Sequence, residues 1–184
     1  AVDLTAADEV REMTVNSAQM SADYGGFAMS ADTGRYVIIT TSAIQAASSN
    51  LFDFVASKEA RGFTVQVVTE GAWGGGTGDV AAENLRAWLK ASYISLNIKY
   101  VLLVGNPHPS TGDVPMKMCH PRIFGSNYPD CPTDFYYAEL TSDWDTDSDG
   151  RCGEYDDDFS GNPPRVAEVA VGRIPYYGSI TDLD

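Results

Sequence analysis

Three short apolar runs constrain the fold more than anything else in the chain. They are Tyr36-Val37-Ile38-Ile39-Thr40-Thr41, Phe63 to Thr69 and Lys99 to Val104. Each is rich in β-branched residues and nearly continuous in hydrophobicity, the pattern of a strand buried on both faces of a parallel sheet. Between them lie helical signals. Ser48, Ser49 and Asn50 are candidate N-caps, and Leu51, Phe54 and Val55 then fall at i, i+3, i+4. Gly62 stands where a helix-ending glycine belongs. Asp79 is a candidate cap for a second helix with Leu85, Trp88, Leu89 and Leu96 on one face. The order β-α-β-α-β predicts a three-layer, doubly wound α/β unit with a mainly parallel sheet and right-handed crossovers.

Past Asn106 the style changes. Pro, Gly and Cys recur through Pro132. Two further strands are expected, one over Asp134 to Leu140 (DFYYAEL) and one over Glu168 to Ile174, which Pro175 ends. Ser179 is placed to cap another helix, yet the sequence stops at Asp184, so the domain is expected to continue beyond it. Residues 1–34 are small, polar and without clear period, and read as an N-terminal extension to a unit spanning 35–184.

Composition excludes some partners. Of 184 residues, 12 are Lys or Arg and 26 are Asp or Glu, a net charge of −14. That surface repels phosphate backbones and anionic lipid, so neither nucleic acid nor an anionic membrane surface is expected as a partner. The apolar runs also fall far short of the roughly 20 residues of a membrane span, so no membrane insertion is expected. Half the net charge falls between Asp143 and Asp158, where eight acids face one base, Arg151. Carboxylates this dense repel one another unless a cation lies among them.

A solvated acidic loop is one reading; the spacing favours a metal site. Asp145-x-Asp147-x-Asp149-Gly150-x5-Asp156 follows the twelve-residue calcium loop. Asp145, Asp147 and Asp149 would point carboxylates inward, Gly150 would allow the sharp turn, and Arg151 would supply its carbonyl. Position 9 is Gly153, which implies a water ligand. Asp156 takes the last position, where Glu is usual. Helix signals are missing before Asp145, so a lone structural calcium loop between strands is expected rather than a helix–loop–helix pair.

The remaining motifs carry less. Gly74-Gly75-Gly76-Thr77-Gly78 is followed by Asp79, whose charge opposes a phosphate, and no Gly-Lys-Ser/Thr follows, so nucleotide binding is not favoured. Cys119 and Cys131 bracket turn residues and are a candidate disulfide. Zinc held by Cys119, His120, Cys131 and Cys152 is a second reading of the cysteines, without a familiar zinc spacing. A Cys nucleophile with His108 or His120 is the third, although neighbours such as Cys119 and His120 diverge on a strand.

Taken in order, YVIITT, LFDFVASKEARGFTVQVV, NIKYVLLVGNP, DVPMKM, PTDFYYAEL with its acidic loop, and EVAVGRIP resemble the N-terminal subdomain of gingipain-type cysteine peptidases. The resemblance implies a caspase-like fold with a calcium-loop insertion. It implies that this is the non-catalytic N-terminal part of a secreted endopeptidase, with the C-terminal half of the peptidase domain as partner and protein or peptide substrates. The catalytic His and Cys are expected downstream of Asp184, so no catalytic residue is assigned here. A calcium-stabilised extracellular interaction or structural module without catalysis is the alternative.

Overall fold

A computed structural model describes residues 34–121, 129–159 and 165–178; the side chains of residues 156 and 159 lie outside that description. So do the extension over residues 1–33, the turn residues Gly125 and Asn127, and the cap at Ser179. The described residues all belong to the compact unit Gly34–Asp184.

Four parallel strands form the main sheet: β1 (Arg35–Ile39), β2 (Thr64–Val68), β3 (Ile98–Gly105) and β6 (Ala170–Pro175), in the order β2-β1-β3-β6. The first connection carries α1 (Ser42–Ala47) and α2 (Asn50–Ala60); the second carries the short α3 (Glu70–Trp73) and α4 (Gly78–Ser92). The chain moves one way across the sheet from β1 to β2 and the other way from β2 to β3. Right-handed crossovers therefore put the two helical layers on opposite faces. The packing agrees. Ile38, Leu102 and Val104 meet Ile44 of α1 and Leu51, Phe54 and Val55 of α2. Val37, Ile39, Val101 and Leu103 share the larger core with Leu85 and Leu89 of α4. The three-layer α/β architecture read from the sequence is the one observed.

Local signals explain most boundaries. Thr41 caps α1 by accepting the Ile44 N–H at 3.2 Å. Ser48 accepts the Leu51 N–H at 3.1 Å and secures the first turn of α2. Gly62, at φ +90°, ends α2 in the left-handed conformation that glycine adopts without strain. One expected cap shifts. Thr77 occupies the N-cap position of α4, and Asp79 lies inside the first turn, where its carboxylate meets Lys117 Nζ at 3.0 Å.

Two segments correct the sequence reading. The stretch DFYYAEL is not a strand: Phe135–Ala138 forms a short helix, α5. Tyr136, Tyr137, Ala138 and Glu139 are all buried. Arg86 of α4 supplies the reason: its guanidinium donates to the carbonyls of Tyr136 at 2.9 Å and Glu139 at 3.0 Å. Those carbonyls, which a strand would turn to a neighbouring strand, are gathered to one point instead. Tyr137 Oη donates to the Pro115 carbonyl at 2.5 Å and pins the helix from the other side. Tyr136 and Tyr137 are thus core residues. In addition, the Pro/Gly/Cys-rich stretch holds a small antiparallel pair, β4 (Lys117–Cys119) and β5 (Cys131–Thr133), for which the sequence offered no run long enough to read.

Candidate metal centre

The acidic loop is hung from a buried carboxylate. Glu139, fully buried, follows α5. Its Oε1 accepts the N–H groups of Thr141 at 3.0 Å and Ser142 at 2.7 Å, and both their hydroxyls at 2.9 Å. Its Oε2 accepts Trp144 Nε1–H at 2.7 Å and faces Arg86 at 3.4 Å and Arg165 at 3.5 Å. Burial alone would raise the pKa of this carboxyl. The donors from Ser142, Trp144 and Thr141 outweigh burial and hold it at about 2. Arg86 also donates to the Ser142 carbonyl at 3.0 Å, and Arg165 to that of Asp143 at 2.7 Å. The strand-like run and the loop are therefore joined by one polar network.

Beyond Trp144 the chain coils back on itself. Carboxylate oxygens of Asp145, Asp147 and Asp149 lie within 4.8 Å of one another. Backbone donors hold them there. The Asp149 N–H reaches Asp145 Oδ1 at 3.0 Å and Asp147 Oδ1 at 3.3 Å. The Gly150 N–H reaches Asp145 Oδ2 at 3.1 Å, and the Arg151 N–H reaches Asp149 Oδ1 at 2.7 Å. The turn needs Ser148 at φ +62° and Gly150 at φ +86°. Gly150 meets that demand without strain, as its position in the pattern implies. Asp147 has its pKa raised, first by lost hydration and then by the charges of Asp149, Asp157 and Asp145. Three hard oxygen donors from alternate residues converge here, an arrangement able to hold a metal ion.

The other expected ligands differ in standing. Arg151 follows the turn directly, and its guanidinium is tied to Glu154 at 2.7 Å. The side chain of Asp156 lies outside the described residues. One residue was missed. Asp158, fully buried, accepts the N–H groups of Thr146 at 2.6 Å, Gly153 at 2.8 Å and Glu154 at 3.0 Å. It closes the loop from below and has its oxygens committed to backbone. In the sequence it is one of three successive aspartates, and nothing in the run distinguishes it.

The remaining candidates are scattered. Among the described residues, the Asp145 group is the one cluster of His, Cys, Asp and Glu with metal-ligand convergence, so the zinc set of Cys119, His120, Cys131 and Cys152 does not assemble. The structure shows no bond between Cys119, Cys131 and Cys152, and it sets Cys119 and Cys131, the candidate disulfide pair, in direct register across β4 and β5. Burial and the neighbouring Cys152 and Cys131 push the Cys119 thiol up to about 12, the opposite of an activated nucleophile. His108 Nδ1 accepts the N–H groups of Ser110 and Thr111 at 3.2 Å within its own turn. His120 Nδ1 faces Asp130 Oδ1 at 3.0 Å.

A four-stranded parallel sheet between helical layers, with a polar-networked insertion before the last strand, is an α/β fold of the caspase-like peptidase kind. The family model described as Peptidase family C25 matches residues 30–179, and the chain belongs to that family, the gingipain-type cysteine peptidases. No curated protein and no solved structure matches the chain.

Proposed function

We propose that residues 35–184 are the non-catalytic N-terminal part of a secreted gingipain-like cysteine endopeptidase, and that calcium bound by Asp145, Asp147 and Asp149 holds the acidic loop. The convergence of the three carboxylates carries the calcium reading. Calcium would neutralise charges that otherwise repel across a few ångströms, with Arg151 adding its carbonyl and Asp156 a further carboxylate. Membership of family C25 supports the peptidase reading, and the typically extracellular habit of the gingipain family supports secretion. No helix among the described residues is long and apolar enough to cross a membrane.

In this reading the chain itself breaks no peptide bond. The nucleophilic Cys and its His belong to the partner half of the peptidase domain, where a thiolate would attack the peptide carbonyl of protein or peptide substrates. The present residues supply a rigid sheet for that half to rest on. The experiment is a panel of fluorogenic peptides offered to the purified 184-residue chain, together with melting curves in calcium and in chelator. Absence of turnover with a higher melting temperature in calcium is the expected pair of results. Turnover by this chain alone would refute the non-catalytic assignment. Identical melting curves would refute the calcium assignment.

A further inference from the structure

The three cysteines, far apart in sequence, gather at one corner of the fold. Cys119 and Cys131 are direct register partners across β4 and β5. Pro132, between Cys131 and Thr133, has no N–H to donate, so it takes the non-hydrogen-bonded position opposite Met118. Its neighbours then fall on hydrogen-bonded pairs, whose Cα atoms stand about 5.5 Å apart. That is within the range of roughly 4.4–6.8 Å that a disulfide bridges. Cys152 is tied to the same strand end, its carbonyl accepting the His120 N–H at 2.9 Å. The Cys119 sulfur packs against Gly153, 3.4 Å from where a Cβ would stand. Access separates the three: Cys119 and Cys152 are buried at 5% and 6% exposure, and Cys131 is exposed.

We propose that Cys131 and Cys119 form a thiol–disulfide exchange site for small disulfides of the glutathione class, with Cys131 as the point of attack and Cys119 as the resolving thiol. The Cys131 thiolate attacks one sulfur of the small disulfide, whose S–S bond breaks, and one thiol leaves. Cys119, held beside Cys131 by the β4–β5 register and passing its proton to solvent base as it reacts, then attacks the Cys131 sulfur, the mixed S–S bond breaks, and the second thiol leaves. The sum is one small disulfide reduced to two thiols, which take the two cysteine protons, and one Cys119–Cys131 bond formed. Cys152 is shielded from the first step by burial. The metal loop need not be occupied for any of this.

The test treats the folded 184-residue chain with oxidised glutathione, quenches by alkylation and maps the linked peptides by mass. The expected course is a transient glutathione adduct on Cys131, then a Cys119–Cys131 peptide, with Cys152 alkylated only after unfolding. Cys131→Ser should slow reaction of the folded chain about tenfold or more, because no exposed thiol remains. Cys152→Ser should react as the parent does. Oxidised chain should melt higher than reduced chain, and dithiothreitol should reverse the gain. Three results would overturn the proposal: a persistent Cys131 adduct with no intrachain link, a dominant Cys119–Cys152 link, or unchanged reactivity in Cys131→Ser. Cys131 is exposed, so its variant keeps the fold and those outcomes remain decisive.

Discussion

Residues 35–105 and the described residues of 106–178 are held together by different forces. The first region is β1, α1, α2, β2, α3, α4 and β3, joined by apolar burial: Ile38, Ile39, Leu85, Leu89 and Leu103 are essentially inaccessible. The second region has short elements and buried charge. Glu139 and Asp158 are both fully buried, and between them they accept hydrogen bonds from five backbone N–H groups. A sheet flanked by helices can be built from dispersion and water exclusion. A loop that doubles back cannot pair its own N–H groups in ladders, and carboxylates take the place of neighbouring strands.

The contrast can be broken at either end. Glu139→Ala should cost about 3–5 kcal/mol in denaturant unfolding, because it strands two buried guanidinium groups, Arg86 and Arg165. Leu85→Ala should cost about 2–5 kcal/mol through transfer and cavity terms. The two differ in pH response. Glu139 is held at about 2 in the folded protein and titrates near 4.3 when unfolded. Its contribution is therefore complete above pH 4.3 and is lost as pH falls through 2. Glu139→Gln should flatten the stability profile in that window, and Leu85→Ala should leave it unchanged. An equal acid response in both variants would remove Glu139 as the source.

The same division decided what the sequence disclosed. Strands β1, β2 and β3 and helices α2 and α4 followed from apolar runs and periodicity, which report burial residue by residue. Gly62 and Gly150 were legible because a positive φ has a sequence signature. The helix at Phe135–Ala138 was not, because its aromatics favour strands and its conformation is imposed by Arg86, some 50 residues earlier. For the site, alternation at Asp145, Asp147 and Asp149 was legible from spacing alone. Asp158 and Glu139 were not, since their roles depend on donors that tertiary packing delivers.

Smaller effects sharpen the picture at the acidic loop. Calcium at a hundredfold its Kd should add about 2.7 kcal/mol, or roughly 5–10 °C in melting temperature. Asp158→Asn should lower stability with or without calcium, since three N–H groups lose a charged acceptor. Asp147→Asn should leave the melting temperature in chelator unchanged or slightly raised, because an exposed, repelled charge is removed. It should abolish the calcium-dependent shift. A calcium shift that survives in Asp147→Asn would move the ion elsewhere.

Calorimetric titration of the chelator-stripped 184-residue chain with calcium, alongside Asp147→Asn, addresses the acidic loop without reference to catalysis. Saturable binding of one ion per chain, lost in the variant, is the result we expect. A flat titration at millimolar calcium, or binding equal in both proteins, would contradict the assignment of Asp145, Asp147 and Asp149 as a calcium site.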